Sequence, residues 1–462
     1  MSHLFSPLEA TAKSVAQLVS SRSSQHATLR PITGYLLYRG YHYTTKGLRQ
    51  HDVSVAAPHQ GRRYSTTPKE KSDPLHILFC GSDDFSCASL KALYDEHIQN
   101  PDLIRSIEVV VRPGKRVGRG HRTIQHPPIR SVAESLGLQI HTRDTFTRWN
   151  IPAKTNLIVV VSFGLFVPKR ILMAPKYGGL NLHPSLLPDL RGGAPLQYTL
   201  LCERELTGVS LQTLDHNYFD RGIVLAQSPS DPADPSAIRV PPTCTTVAAL
   251  KELVTPTATR MLVAGLRAGV YLPPHEPKGW NPDPKTLAHA PKVKPHHKQL
   301  TLSRFREIDQ ETSSAERRGT LVRRQDAIGP LWFLSRDAQG QQKRIIIDAV
   351  EEVPGLSPAN RPSMVTIVDP EDTTSKNHDD SESSPKLYPI PFEDGEPQTY
   401  SESTTKPLDQ PNMRLNFWYP AGHAVKEEKY ALYLGNYRVL SLKVEGGRAK
   451  PTLHALLGFI IR

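Results

Sequence analysis

An α/β fold on a parallel sheet, followed by a smaller β-rich domain, is predicted by three features of this 462-residue chain. Short apolar runs and helical patterns succeed one another between residues 75 and 270. The run LIVVV at Leu157–Val161 is apolar and mostly β-branched, as a strand covered on both faces must be. Beyond residue 300 the character changes, and residues 331–335, 344–350 and 437–444 read as strands.

The elements follow in order. Residues 75–80 (LHILFC) form an apolar run that meets Gly81, and a helical pattern covers 85–93: strand, tight turn, helix. A second strand is expected at 107–111, a helix at 129–136 and a third strand at 138–141. Pro168 is suited to start a short helix, and Gly179 breaks it before the strand 180–183 (LNLH). A helical stretch around Thr199 runs to about 205, and 208–214 is another strand. A long helix is expected at 247–266, kinked at Pro256. Residues 271–300, rich in Pro, Lys and His, read as a linker. A helix is expected from 303 to about 311, then the strands 331–335 and 344–350. Residues 354–411 are full of Pro, Ser, Thr, Asp and Glu and read as a disordered insertion. Strands resume at 430–434 and 437–444. The organisation expected is a leader at 1–67, an α/β domain at 68–270, a linker at 271–315 and a β domain at 316–462, interrupted at 354–411.

Composition narrows the class. The formal net charge of +12 suits a polyanionic partner. Cys80, Cys87, Cys202 and Cys244 are scattered with no CxxC pair, which argues against a disulfide framework or a structural zinc site. No apolar segment is long enough to cross a bilayer. The first 67 residues hold eight Lys or Arg against Glu9 and Asp52, with frequent Ser and Thr and no signal-type apolar core. That is the pattern of a mitochondrial presequence ending near 62–67, and the matrix is the expected location. An ordinary disordered tail is the alternative.

The stretch 178–195, GGLNLHPSLLPDLRGGAP, carries the chemistry. In a strand, residues i and i+2 point to one side, so Asn181 and His183 share a direction at the carboxyl end, where open α/β sheets bind ligands. Pro184, Pro188, Gly192, Gly193 and Pro195 restrain the loop that leaves the strand. An amide can donate to a developing oxyanion, and an imidazole can accept or relay a proton. Either residue alone is more commonly a surface or packing residue. A carboxylate is needed behind the ring; Asp220 in YFDRG and Asp215 both qualify, and composition does not choose.

The segments GSDDFSCASLKAL, SFGLFVPKRIL, NLHPSLLPDLRGGAP and TGVSLQTLDHNYFDRGIVLAQ succeed one another as in the methionyl-tRNA formyltransferases. Over about 75–270 the chain resembles that family in a fungal-type mitochondrial form. The HPSLLP..RG..P motif is shared with glycinamide ribonucleotide, amino-sugar and formyltetrahydrofolate-hydrolysing relatives, so it points to chemistry more than to substrate. The resemblance implies a Rossmann-like parallel-sheet formyltransferase domain with a smaller C-terminal β-barrel of OB type. It implies transfer of a formyl group from 10-formyltetrahydrofolate to the α-amino group of initiator methionyl-tRNA, without a metal, by a monomer. Position by position, the catalytic residues fall on Asn181, His183 and Asp220, the last matched through its D-x-G. One extra residue between Asp215 and Asp220 keeps Asp215 as second choice. Folate is expected along Phe163, Gly164, Leu165 and Val167, with Ser185, Leu186, Leu187 and Pro188 as walls. The basic loop 112–126 matches the one used against the tRNA acceptor end, through Lys115, Arg116, Arg119 and Arg122. Lys443, Arg448 and Lys450 would contact the RNA backbone from the barrel. Solvated faces are the bland reading of both groups. The linker keeps APK at 290–292, but KPHHKQLTLSRF replaces the family's usual acidic, Trp-bearing continuation. The alternatives are a formyltransferase for a small amine, or an inactive RNA-binding or assembly factor.

Overall fold

The computed structural model describes residues 72–310, 319–353, 362–368, 386–392, 412–419 and 432–459. The leader expected over 1–67 lies outside them, as does most of the insertion expected over 354–411. The first half of the described chain runs β1 (Leu75–Gly81), α1 (Asp84–Gln99), β2 (Ile104–Val111), β3 (Lys115–Val117), β4 (Thr123–Gln125), α2 (Pro128–Ser135), β5 (Gln139–Thr142), β6 (Leu157–Val161), α3 (Lys169–Leu172) and β7 (Gly179–His183). It continues through α4 (Pro195–Leu201), β8 (Leu206–Thr207), β9 (Ser210–Thr213), β10 (Val224–Gln227), β11 (Ile238–Arg239) and α5 (Val247–Arg267).

Seven of these strands form one sheet in the order β10-β9-β7-β6-β1-β2-β5. All five residues of β6 are buried, which is why their side chains are apolar on both faces. β1, β2, β5, β6 and β7 are parallel. β9 and β10 are antiparallel, so the sheet is mixed, where a parallel one was expected. The connection 214–223 between β9 and β10 is too short for a crossover helix and permits a hairpin. Asp83 caps α1 by accepting the Ser86 N–H at 3.1 Å. Thr246 caps α5 by accepting from Ala249. α5 lays Leu250, Val254, Ala258, Leu262 and Leu266 into the core, a one-face stripe at helical spacing. It is assigned as one helix through Pro256. α4 ends at Leu201, short of the expected 205; Glu203 beyond it has φ +50°, which no helix tolerates.

The second half runs α6 (Leu302–Asp309), α7 (Thr320–Ile328), β12 (Trp332–Arg336), β13 (Gln342–Glu352), β14 (Val365–Val368), β15 (Lys386–Phe392), β16 (Asn412–Tyr419), β17 (Leu432–Leu434), β18 (Tyr437–Val444), β19 (Ala449–Pro451) and α8 (Thr452–Leu456). Its strands form one antiparallel sheet along β12-β13-β18-β17-β16-β14, with β15 on β16 and β19 on β18. The sheet curls into a half-barrel, bringing β12 near β15. Phe305 of α6 lies edge-on to both Phe333 of β12 and Phe392 of β15. β14 and β15 fall inside the stretch expected to be disordered. Ile390 and Phe392 are buried, and that apolar burial orders a segment whose composition alone reads as polar.

The 271–300 segment, expected as a linker, is laid along the loop after β7. Leu190 N–H donates to Ala288 O at 2.9 Å, Ala290 N–H to Arg191 O at 2.8 Å and Ala194 N–H to Ala290 O at 3.1 Å. A Cβ on Gly192 would stand 2.3 Å from Ala290 O, so only glycine allows this approach.

Candidate active site

Asn181 and His183 sit on β7 and face the same way. In the register with β9, Asn181 pairs with Gln212 and His183 with Ser210. The loop after β9 brings Asp220 back over this pair. Asp220 Oδ1 accepts from Asn181 Nδ2 at 3.0 Å and from Gln212 Nε2 at 3.3 Å. Oδ2 accepts the Gly192 N–H at 2.9 Å, and the Asp220 main-chain oxygen accepts from Arg191 Nε at 2.8 Å. His183 Nδ1 lies 3.5 Å from Asp220 Oδ1, with both side chains over nine-tenths buried. That separation is long for a hydrogen bond but short for electrostatic stabilisation of an imidazolium in a low-dielectric site.

The imidazole tautomer is set elsewhere. His183 Nε2 lies 3.1 Å from Leu190 O, an oxygen that can only accept, so Nε2 carries the proton. A second proton has one place to go, Nδ1, facing Asp220. Leu190 O therefore sets the tautomer of His183, and the Nδ1 edge of the ring faces Asp220. Leu190 (φ +57°) and Asp220 (φ +53°) are both left-handed, at about 1–2 kcal/mol each for a side chain with Cβ. Two of the six non-glycine residues with positive φ among the described residues are thus the groups that hold the ring.

Asp215 is used differently. Its Oδ1 caps a turn, accepting from Asn217 N at 2.7 Å and Tyr218 N at 2.8 Å, and these N–H groups hold its carboxyl below the usual carboxylate range.

The residues expected along the folate divide. Phe163 and Val167 pack into a buried cluster with Phe146 and Ile171, and Phe163 O accepts from Ser82 Oγ. Gly164 is exposed at φ +70°, and Leu165 is half-buried. Phe166 beside them meets Phe219 edge-on, centroids 5.0 Å apart, so the 163–167 loop touches the loop bearing Asp220. The groups of 185–188 are largely taken up by the protein. Ser185 Oγ donates to Asp189 O, Ser210 Oγ donates to Ser185 O, Trp280 Nε1 to Leu186 O and Gln227 Nε2 to Leu187 O, while Leu187 N–H donates to Ser210 Oγ. The cis peptide Leu187-Pro188 lies in this turn. Ser185 and Leu186 line a cavity of about 290 Å³ with Arg204, Thr207 and Trp280, and none of Asn181, His183 and Asp220 borders it. These hydrogen bonds hold the 185–188 loop in a fixed conformation.

Lys115 and Arg116 lie on the β3–β4 hairpin and are exposed, as is Arg122. Arg119 opens a 3-10 turn between the two strands. Lys443 is half-buried on β18, while Arg448 and Lys450 are exposed beside or on β19. Among the described residues, no group of three or more His, Cys, Asp or Glu is placed to hold a metal ion, and no helix is long and apolar enough to cross a membrane.

Residues 75–233, which contain all of β1 to β10 and the whole Asn181–His183–Asp220 cluster, match the family model described as Formyl transferase. The match covers about a third of the chain. A Schizosaccharomyces pombe protein provisionally named methionyl-tRNA formyltransferase is 38% identical over 156 residues, 34% of this chain and 44% of its own length. The mitochondrial methionyl-tRNA formyltransferase of Saccharomyces cerevisiae is 36% identical over 187 residues, 36% of this chain and 46% of its own. Among solved structures, a sugar N-formyltransferase from a Shewanella species aligns at TM-score 0.38 and 13% identity, covering 58% of this chain and 95% of that one. The chain spans about half the length of the curated relatives it matches. Within the matched residues, sequence reasoning missed Gln212, Leu190 and the Gly192 amide. Gln212 is a lone amide in the buried strand SLQT, and nothing but the β7–β9 register reveals that it faces Asn181.

Proposed function

We propose that the chain transfers the formyl group of 10-formyltetrahydrofolate to the α-amino group of initiator methionyl-tRNA in the mitochondrial matrix. The observation that carries the reaction is the Asp220 carboxylate, held by Asn181, Gln212 and Gly192 against a buried imidazole.

The amine attacks in its neutral form, of which its ordinary pKa of about 7.7–8.0 leaves a useful fraction. Attack on the formyl carbon forms the new C–N bond and places negative charge on the formyl oxygen. Asn181 Nδ2 uses one hydrogen on Asp220 and has a second to offer that oxygen. The proton lost by the amine passes to His183 and from there to the folate nitrogen as its bond to carbon breaks. Asp220 stabilises the imidazolium between these events. Gly164 with its positive φ, and the ring pair Phe166–Phe219, supply the close main-chain approach and apolar surface that suit a flat pterin.

The acceptor is inferred from the two curated relatives and from the exposed Lys115, Arg116 and Arg122. The full chain, supplied with 10-formyltetrahydrofolate and charged initiator and elongator tRNAs, is expected to form N-formylmethionyl-tRNA on the initiator. Formylation of a small sugar amine with none on charged tRNA would move the acceptor class, and no formyl transfer at all would reject the reading. Replacing Lys115 and Arg116 by Ala is expected to weaken tRNA binding and lower its salt slope by about two contact equivalents, read by filter binding across a salt series.

A further inference from the structure

Gln212 is 1% exposed and touches both ends of the Asp220–Gly222 turn. Its Oε1 accepts the Gly222 N–H at 3.1 Å, and its Nε2 donates to Asp220 Oδ1 at 3.3 Å. The amide orientation is not arbitrary. A main-chain N–H can only donate, so the oxygen faces Gly222 and the nitrogen faces the carboxylate. The turn also cannot retreat. Gly222 lies so close to β9 that a Cβ there would stand 1.7 Å from Thr213 O, and Thr213 N–H donates to Ile223 O at 2.9 Å. On the strand, Gln212 is the register partner of Asn181, so the two amides converge side by side on Asp220 Oδ1, the same oxygen that faces His183 Nδ1.

We infer that Gln212 is a positioning residue, whose side-chain amide brackets the Asp220–Gly222 turn and holds the Asp220 carboxylate in place toward His183. The inference rests on the formyl-transfer reading above for its kinetic consequence, though not for its geometry. Nε2 always presents hydrogen, so Asp220 Oδ1 keeps this donor at every pH. Two donors on Oδ1 and one on Oδ2 leave Asp220 little rotamer freedom, and His183 keeps a fixed anionic neighbour.

Two substitutions separate this role from plain packing. In Gln212→Glu, one oxygen still accepts from Gly222 and the other meets Asp220. While the pair holds one proton, that proton lies between the carboxylates and replaces the lost Nε2–H. When the pair loses it, two anions face each other and Asp220 is pushed from its place. The ratio of Gln212→Glu to wild-type kcat is therefore expected to fall as pH rises from about 5.5 to 8, by about tenfold or more, the effect of one pKa unit of coupling, with KM for charged tRNA little changed. Gln212→Met fills the space without either bond and is expected to lose kcat by a factor that does not vary with pH. Parallel, pH-flat losses in both variants, matched by equal drops in Tm, would overturn the inference.

A second readout needs no activity. With 13C-labelled aspartate carboxyl groups, and Asp220→Asn to assign the signal, Asp220 is expected to titrate higher in Gln212→Glu than in wild type. An unshifted Asp220 signal overturns the inference even in an active enzyme. A shifted signal in a protein without formyl transfer would leave the bracket standing and remove the proposed reaction.

Discussion

The two loops that enclose the Asp220 site are built in opposite ways. The loop 185–193, after β7, has its polar groups largely taken up by Ser210, Gln227, Trp280 and the 288–290 strip. Its Asp189 is locked by Arg204, Nε to Oδ2 at 3.0 Å, and by the Ala288 N–H at 2.8 Å. The loop 215–223, after β9, instead exposes Tyr218 by 60%, Phe219 by 59% and Ile223 by 41%. It touches the body of the protein mainly through Asp220, Gly222 and Phe219. Buried hydrogen bonds make the first loop a fixed frame that presents the Gly192 amide and Leu190 carbonyl. The second offers apolar surface to whatever binds and is anchored at the carboxylate. A buried carboxylate can thus be held precisely while sitting on a loop that exposes apolar surface, provided the precision is supplied by the opposite wall.

This contrast orders the expected effects. Asn181, on β7 just before the frame, touches the reacting oxygen in the proposed reaction, so Asn181→Ala is expected to lower kcat by about 10²-fold or more with tRNA binding retained. Single-turnover formylation would measure it, and an unchanged rate would remove Asn181 from the chemistry. Gly192→Ala would drive a methyl into Ala290 O and is expected to destabilise the fold by about 3 kcal/mol or more, read by urea unfolding. A loss below about 1 kcal/mol would show that the frame yields. Ser210→Ala strips the partner of Leu187 N–H and Ser185 O inside the frame, for an expected loss of about 1–3 kcal/mol by the same measurement. Phe219→Ala, in the exposed loop, should change stability by no more than about 0.5 kcal/mol while raising KM for the formyl folate. A stability loss as large as that of Ser210→Ala would erase the distinction between the loops.

Much of the α/β half was legible because apolar periodicity and turn residues are local. The strand at Leu157–Val161 and the start of α5 at Val247 lie where the patterns of LIVVV and the long apolar helix put them. α7, the β3–β4 hairpin and β14 to β16 were missed. Their strand or helix character depends on what they pack against: Met413, Leu415 and Phe417 are all buried in a segment flanked by polar, Pro-rich sequence. Composition left Asp220 and Asp215, five positions apart, both open and only the D-x-G resemblance favoured Asp220; the structure sets Asp220 beside Asn181 and His183 while Asp215 caps a turn.

By itself, the sequence determined that an amide and an imidazole share one direction at the end of a strand, because alternation along a strand is a local property of the backbone. Only the tertiary structure decided which carboxylate meets them, that Leu190 O sets the tautomer of His183, and that Gln212 stands beside Asn181. Those relations join β7, β9 and two loops across distances in the chain that no short-range pattern spans; they arise from strand register and from glycines at 192 and 222 that let backbones touch.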